Sequence, residues 1–135
     1  MERGDLGTWE ASSISVVLEG VLCRPQVEGR LRRRLTNSDQ WEWSMGAIQC
    51  VQRYAYQSTP INVVTFLDPE VADAAADWFE RYDVDVSSTE AVDIERFVTS
   101  LAWRHNKISA IVDSDPDRLA RFGFRGYRTV WGGAF

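Results

Sequence analysis

A chain of 135 residues, 44% of them hydrophobic and six of them tryptophan, can bury roughly two thirds of its unfolded surface in one core, so residues 1–135 read as a single domain that needs neither disulfides nor a structural metal. A net charge of -5 excludes nonspecific DNA binding by the surface as a whole. Two cysteines, Cys23 and Cys50, are too few for a disulfide scaffold and lack zinc-site spacing, which points to a reducing, cytoplasmic setting. The charged opening MERGDLGTWE is unlike a secretory signal, and no apolar run approaches the roughly 20 residues that cross a bilayer, so no membrane role is expected.

The run Ile14–Leu18 is rich in β-branched residues and too short for a helix, which predicts a strand buried on both faces. It ends in Glu19-Gly20. Arg24 to Leu35 then predicts a hairpin turning at Glu28-Gly29. Asn37 or Ser38 is the expected cap of a helix with Trp41, Met45, Ile48 and Val51 on its buried stripe, ending near Tyr56. Residues 61–67 predict a second strand, followed by a helix capped at Asp68-Pro69 that buries Val71, Ala74, Ala75, Trp78 and Phe79. A third strand is expected over 84–87, with Ser87 and Glu90 as the capping box of a helix burying Ile94, Phe97, Val98 and Leu101. Residues 108–112 predict a fourth strand, Asp115-Pro116 to Gly123 frame a short helix, and 127–131 predict a fifth strand. Strands alternating with helices indicate an α/β, three-layer Rossmann-like domain: a mostly parallel five-stranded sheet, helices on both faces and a hairpin flap after strand 1. Ligands in such sheets bind beyond the carboxyl ends of the strands.

Those ends carry Glu19, Thr65, Asp113, Asp115 and Asp117, with Lys107 just ahead of the fourth strand. Carboxylates, a hydroxyl and an ammonium on one edge suit Mg2+ and a phosphate, because the hard cation takes oxygen ligands and the lysine offsets phosphate charge. The set resembles the haloacid dehalogenase-like (HAD) superfamily of phosphatases and phosphotransferases. VLEGVL is similar to the Asp-x-Asp-Gly end of that family's first strand, Thr65 in VVTFLD to its second motif, Lys107 to its third and VDSDPD to its fourth, with no large cap inserted after the flap. The resemblance implies a HAD-like fold, with Glu19, Thr65 and Lys107 as the catalytic set and Glu19, Asp113 and Asp117 as metal ligands.

One position departs from the pattern. Glu19 falls on the family's general acid and base, but Val17 falls on the aspartate that attacks phosphorus. Valine has no lone pair, so the covalent route is closed. Ser15 lies about 7 Å further back at ~3.3 Å per residue. The expected function is therefore that of a catalytically degenerate, capless HAD-like domain, a pseudoenzyme that binds a protein partner or itself, for which Mg2+ can be held but is not required. A Mg2+-dependent phosphohydrolase acting on a small phosphomonoester is the first rival. Five arginines against one glutamate give 24–35 a charge of +4, which makes Arg30, Arg32, Arg33 and Arg34 an expected anion-binding flap for a phosphorylated ligand above the strand ends or a nucleic-acid backbone; nucleic-acid binding through them is the second rival. The apolar end WGGAF is an expected contact surface, and the lone His105 is given no role.

Overall fold

The computed structural model describes residues 13–25, 41–101 and 109–135. Its strands are β1 (Ser13–Val17), β2 (Cys23–Pro25), β3 (Trp41–Trp43), β4 (Ile61–Thr65), β5 (Ser88–Ala91), β6 (Ser109–Asp113) and β7 (Gly126–Arg128). Its helices are α1 (Met45–Tyr56), α2 (Pro69–Arg81), α3 (Ile94–Leu101) and α4 (Pro116–Phe122), the last running into a 3-10 turn over Gly123–Arg125. Five strands form a wholly parallel sheet in the order β5-β4-β1-β6-β7, and β2 pairs with β3 as a separate antiparallel hairpin.

Alternation along β1 sends its side chains to opposite faces. Ile14 and Val16 join a core with Ala47, Ile48 and Val51 of α1 and Val71, Ala75 and Phe79 of α2. Val17, Val64 and Ile111 face the other way, onto Phe97 and Leu101 of α3 and Phe122 of α4. The sheet is thus covered on both sides, which is the three-layer arrangement expected from the sequence. The chain builds outward from β1 through β4 to β5, then crosses to β6 and β7, so the strand order reverses between β1 and β6.

Three elements differ from expectation. Trp41–Trp43 is a strand rather than the start of a helix, and it is the return strand of the hairpin opened by Cys23–Pro25. Trp-Glu-Trp has a period of two: Trp41 is buried, Glu42 faces Arg24 across the ladder at 2.9 Å, and Trp43 stacks on Trp78 at 3.8 Å between ring centroids. The helix is capped instead by Ser44, whose hydroxyl accepts from the Ala47 N–H at 3.2 Å. Residues 26–40, with the expected turn at Glu28-Gly29, lie outside the described residues.

The third strand of the sheet is Ser88–Ala91, not 84–87. Val84 closes α2, its N–H donating to the Phe79 carbonyl, and pairing with β4 begins only where the Ser87 N–H meets the Ile61 carbonyl. Glu90 therefore sits in a strand, and Asp93 caps α3 by accepting from the Arg96 N–H at 3.1 Å. The last strand is Gly126–Arg128 and stops short of the expected 127–131. Phe135, expected at an exposed apolar end, is 2% exposed and stacks on Tyr54. The two proline-led helices form as expected, with the Asp115 carboxylate accepting from the N–H groups of Asp117 and Arg118.

Candidate functional site

The carboxyl end of β1 is a tight loop. The Leu18 carbonyl accepts from the N–H groups of Leu22 and Cys23, and the Gly20 N–H donates to the Cys23 carbonyl at 2.9 Å. Gly20 has φ +88, and a Cβ there would come within 2.7 Å of Ser114 Oγ. Only glycine meets both demands, since positive φ and the close approach each penalise a side chain. This seats the loop after β1 directly against the loop after β6.

Glu19 is the carboxylate on that loop, 9% exposed. Its Oε2 accepts from the Phe66 N–H at 3.1 Å, and the Thr65 hydroxyl also bonds its side chain. Its Oε1 is buried with no hydrogen-bond partner among the described residues. Burial pushes its pKa above the ordinary 4.5; the bonds from its own backbone, Phe66 and Thr65 and the charge of Arg118 act against that rise. Cys23 is raised well above its ordinary value, by burial and then by the neighbouring Glu19 charge, so it stays a thiol.

Asp113, the last residue of β6, is 0% exposed and fully partnered. Its Oδ1 accepts from the N–H groups of Ser114 at 2.7 Å and Asp115 at 3.2 Å. Arg118 grips both carboxylate oxygens, Nε to Oδ2 at 2.7 Å and Nη2 to Oδ1 at 2.9 Å. Three of these four bonds converge on Oδ1 and one reaches Oδ2, so both carboxylate oxygens are engaged. Arg118 Nη1 also lies 3.6 Å from Asp115 Oδ2, and its guanidinium sits 5.5 Å from the centre of the Phe66 ring. Burial works against the Arg118 charge, but the bond to Asp113 and the charges of Asp113, Glu19 and Asp115 outweigh it, so the proton is held more tightly than usual.

The fold brings Glu19, Thr65 and Asp113 to the β4-β1-β6 edge, with Arg118 coupling the two carboxylates. Asp117 is exposed on the first turn of α4. Lys107, His105, Arg30, Arg32, Arg33 and Arg34 lie outside the described residues. Val17 is 0% exposed, packed among Val64, Phe97, Leu101, Ile111 and Phe122. Arg118 is the site residue that sequence reasoning missed. The available signal was a cation in the first turn of a helix, where the dipole disfavours it. Helical side chains lean toward the N-terminus, here toward the end of β6.

Among the described residues no group of three or more His, Cys, Asp or Glu is placed to hold a metal ion. With the Arg118 cation already paired to both oxygens of Asp113, this donor set does not fit Mg2+ as arranged. A separate cavity of about 490 Å3 lies under α3, its lining including Ser15, Asn62 and Ser88, and includes none of Glu19, Thr65 or Asp113. No helix among the described residues is long and apolar enough to cross a membrane.

No family model and no curated protein matches the chain. Solved structures do. A chain of the Pnkp1/Rnl/Hen1 RNA repair complex matches with a TM-score of 0.70 at 12% identity, over 89% of this chain and 42% of that one. Another structure of the Pnkp1/Rnl/Hen1 complex gives 0.68 at 11% identity, over 93% and 48%. The D,D-heptose 1.7-bisphosphate phosphatase of B. bronchiseptica, solved with magnesium and phosphate, gives 0.59 at 10% identity, over 84% and 76%. The chain spans less than half the length of the first two. Identities this low carry the fold and no activity: the chain has a HAD-like, Rossmann-like α/β fold.

Proposed function

We propose that this HAD-like domain acts by binding and has lost covalent phosphoryl transfer. The observation that carries the reading is Val17: the position from which the family's nucleophile would attack holds an apolar side chain, 0% exposed, inside the α3/α4 face of the core. An attacking group needs a lone pair and access to phosphorus, and this position offers neither. Protein partnering is the binding mode we favour, in line with the assemblies in which two of the structural neighbours were solved.

The rival, a Mg2+-dependent phosphohydrolase in which Glu19 handles the proton of an attacking water, draws on one observation. Glu19 Oε1 is buried without a partner among the described residues, and the pKa raised by burial makes the ionised carboxylate a stronger base toward water. Multiple-turnover hydrolysis of p-nitrophenyl phosphate in millimolar Mg2+ separates the two. Binding alone gives no release above buffer. Mg2+-dependent release that disappears in Glu19→Ala and Asp113→Ala would establish the rival.

A further inference from the structure

We propose that Arg118 is a built-in replacement for a divalent cation, its guanidinium supplying the positive charge at the ends of β1 and β6 and barring Mg2+ from Asp113. The proposal deepens the degenerate-site reading and rests on it. A buried carboxylate at a strand end requires a counter-charge, because an uncompensated one costs several kcal/mol. Asp113, 0% exposed, has that charge from within the chain. The fork is bidentate, and the guanidinium is held from two further sides, by Asp115 at 3.6 Å and the Phe66 ring at 5.5 Å. It is thus a fixed group and not a swinging surface arginine.

Glu19 provides the second, independent observation. Its Oε1 is buried, 9% exposed as a residue, and unpartnered among the described residues, on the same strand edge and within the field of Arg118. An oxygen in that state is what remains when a ligand position has kept its carboxylate but lost its cation. Arg118 pairs with both oxygens of Asp113 and reaches Glu19 only through space, so the exchange of metal for arginine satisfies one carboxylate and leaves an oxygen of the other without a partner among the described residues. The proposal therefore accounts both for the two partnered oxygens of Asp113 and for the Glu19 oxygen that has no partner among the described residues.

The test is thermal unfolding of the full chain with millimolar MgCl2 against NaCl of matched ionic strength, for wild type, Arg118→Gln and Arg118→Gln/Asp113→Asn. Wild type is expected to show the same Tm in both salts. Arg118→Gln is expected to fall by roughly 10 °C or more, with part of that loss regained in Mg2+ only. The double variant, with the charge at position 113 removed together with its partner, is expected to recover stability and ignore Mg2+. If Arg118→Gln folds in neither salt, Arg118→Lys decides: it keeps the charge and gives up the fork, so it is expected to lose stability but to show the same Tm in both salts. A Mg2+-dependent rise in wild type overturns the proposal, as does a folded Arg118→Gln that does not respond or, failing that, an Arg118→Lys that gains a Mg2+-dependent rise. Turnover of a phosphomonoester by wild type with no Mg2+ effect on Tm would end the binding reading and leave the role of Arg118 standing.

Discussion

The ends of β1 and β6 lie side by side, each carries a buried carboxylate, and the two are treated in opposite ways. Asp113 receives four hydrogen bonds, two of them from Arg118. Glu19 keeps one oxygen without a partner among the described residues and is pushed toward its neutral form. The difference is one of chain length and direction. Asp113 is followed within five residues by a helix whose first turn returns an arginine to it, whereas Glu19 is followed by Gly20 and a loop that turns into the hairpin. A completed ion pair is a structural feature; an incomplete one is where ligand chemistry, if any survives, has to be sought.

Breaking the completed side should have the largest effect. Asp113→Ala leaves Arg118 half-buried with only the longer contact to Asp115 as an ion pair, with an expected loss of about 3 kcal/mol in denaturant unfolding; a loss below about 1 kcal/mol would mean that the pair is not the anchor described here. Val17→Asp should cost a comparable amount, because it puts a carboxylate among Val64, Phe97, Leu101, Ile111 and Phe122. With Asp113 already occupied by Arg118, it should also gain no Mg2+-dependent rise in Tm, and such a rise would show the old pocket to be recoverable.

The incomplete side gives a pH-dependent effect. The folded pKa of Glu19 lies above its ordinary 4.5, so the native state holds that proton more tightly than the unfolded chain does. Its contribution is present in full below pH 4.5 and is lost as pH rises through the folded value. Glu19→Gln, neutral at every pH, should therefore raise stability at neutral pH, and the gain should shrink on acidification toward 4.5. A gain that is flat with pH would place its cause elsewhere. The smallest effect belongs to Asp117, exposed on α4: Asp117→Ala should shift stability by no more than about 0.5 kcal/mol and leave any Mg2+ response unchanged.

The sequence made the alternating α/β order legible because its signals are local. Asp68-Pro69 and Asp115-Pro116 start helices through the fixed proline φ, and Ile14–Val17 and Ile61–Val64 read as buried strands through continuous β-branched runs. What it hid depends on partners distant in the chain. Trp41–Trp43 becomes a strand because Trp43 finds Trp78 and Glu42 finds Arg24. Ser88–Ala91, with little strand propensity of its own, is held by its ladder to β4. At the site, Glu19, Thr65 and Asp113 were readable from their places at strand ends. Their states were not, since the partnering of Asp113 turns on where one arginine folds back, and the Glu19 oxygen without a partner among the described residues turns on burial that no local signal shows.

The proposal that covalent phosphoryl transfer is lost is tested most directly by mass. The intact chain, incubated with acetyl phosphate and millimolar Mg2+ and quenched in acid, is expected to keep its unmodified mass. A phosphoryl adduct that forms in wild type and is absent from Glu19→Gln would contradict the account.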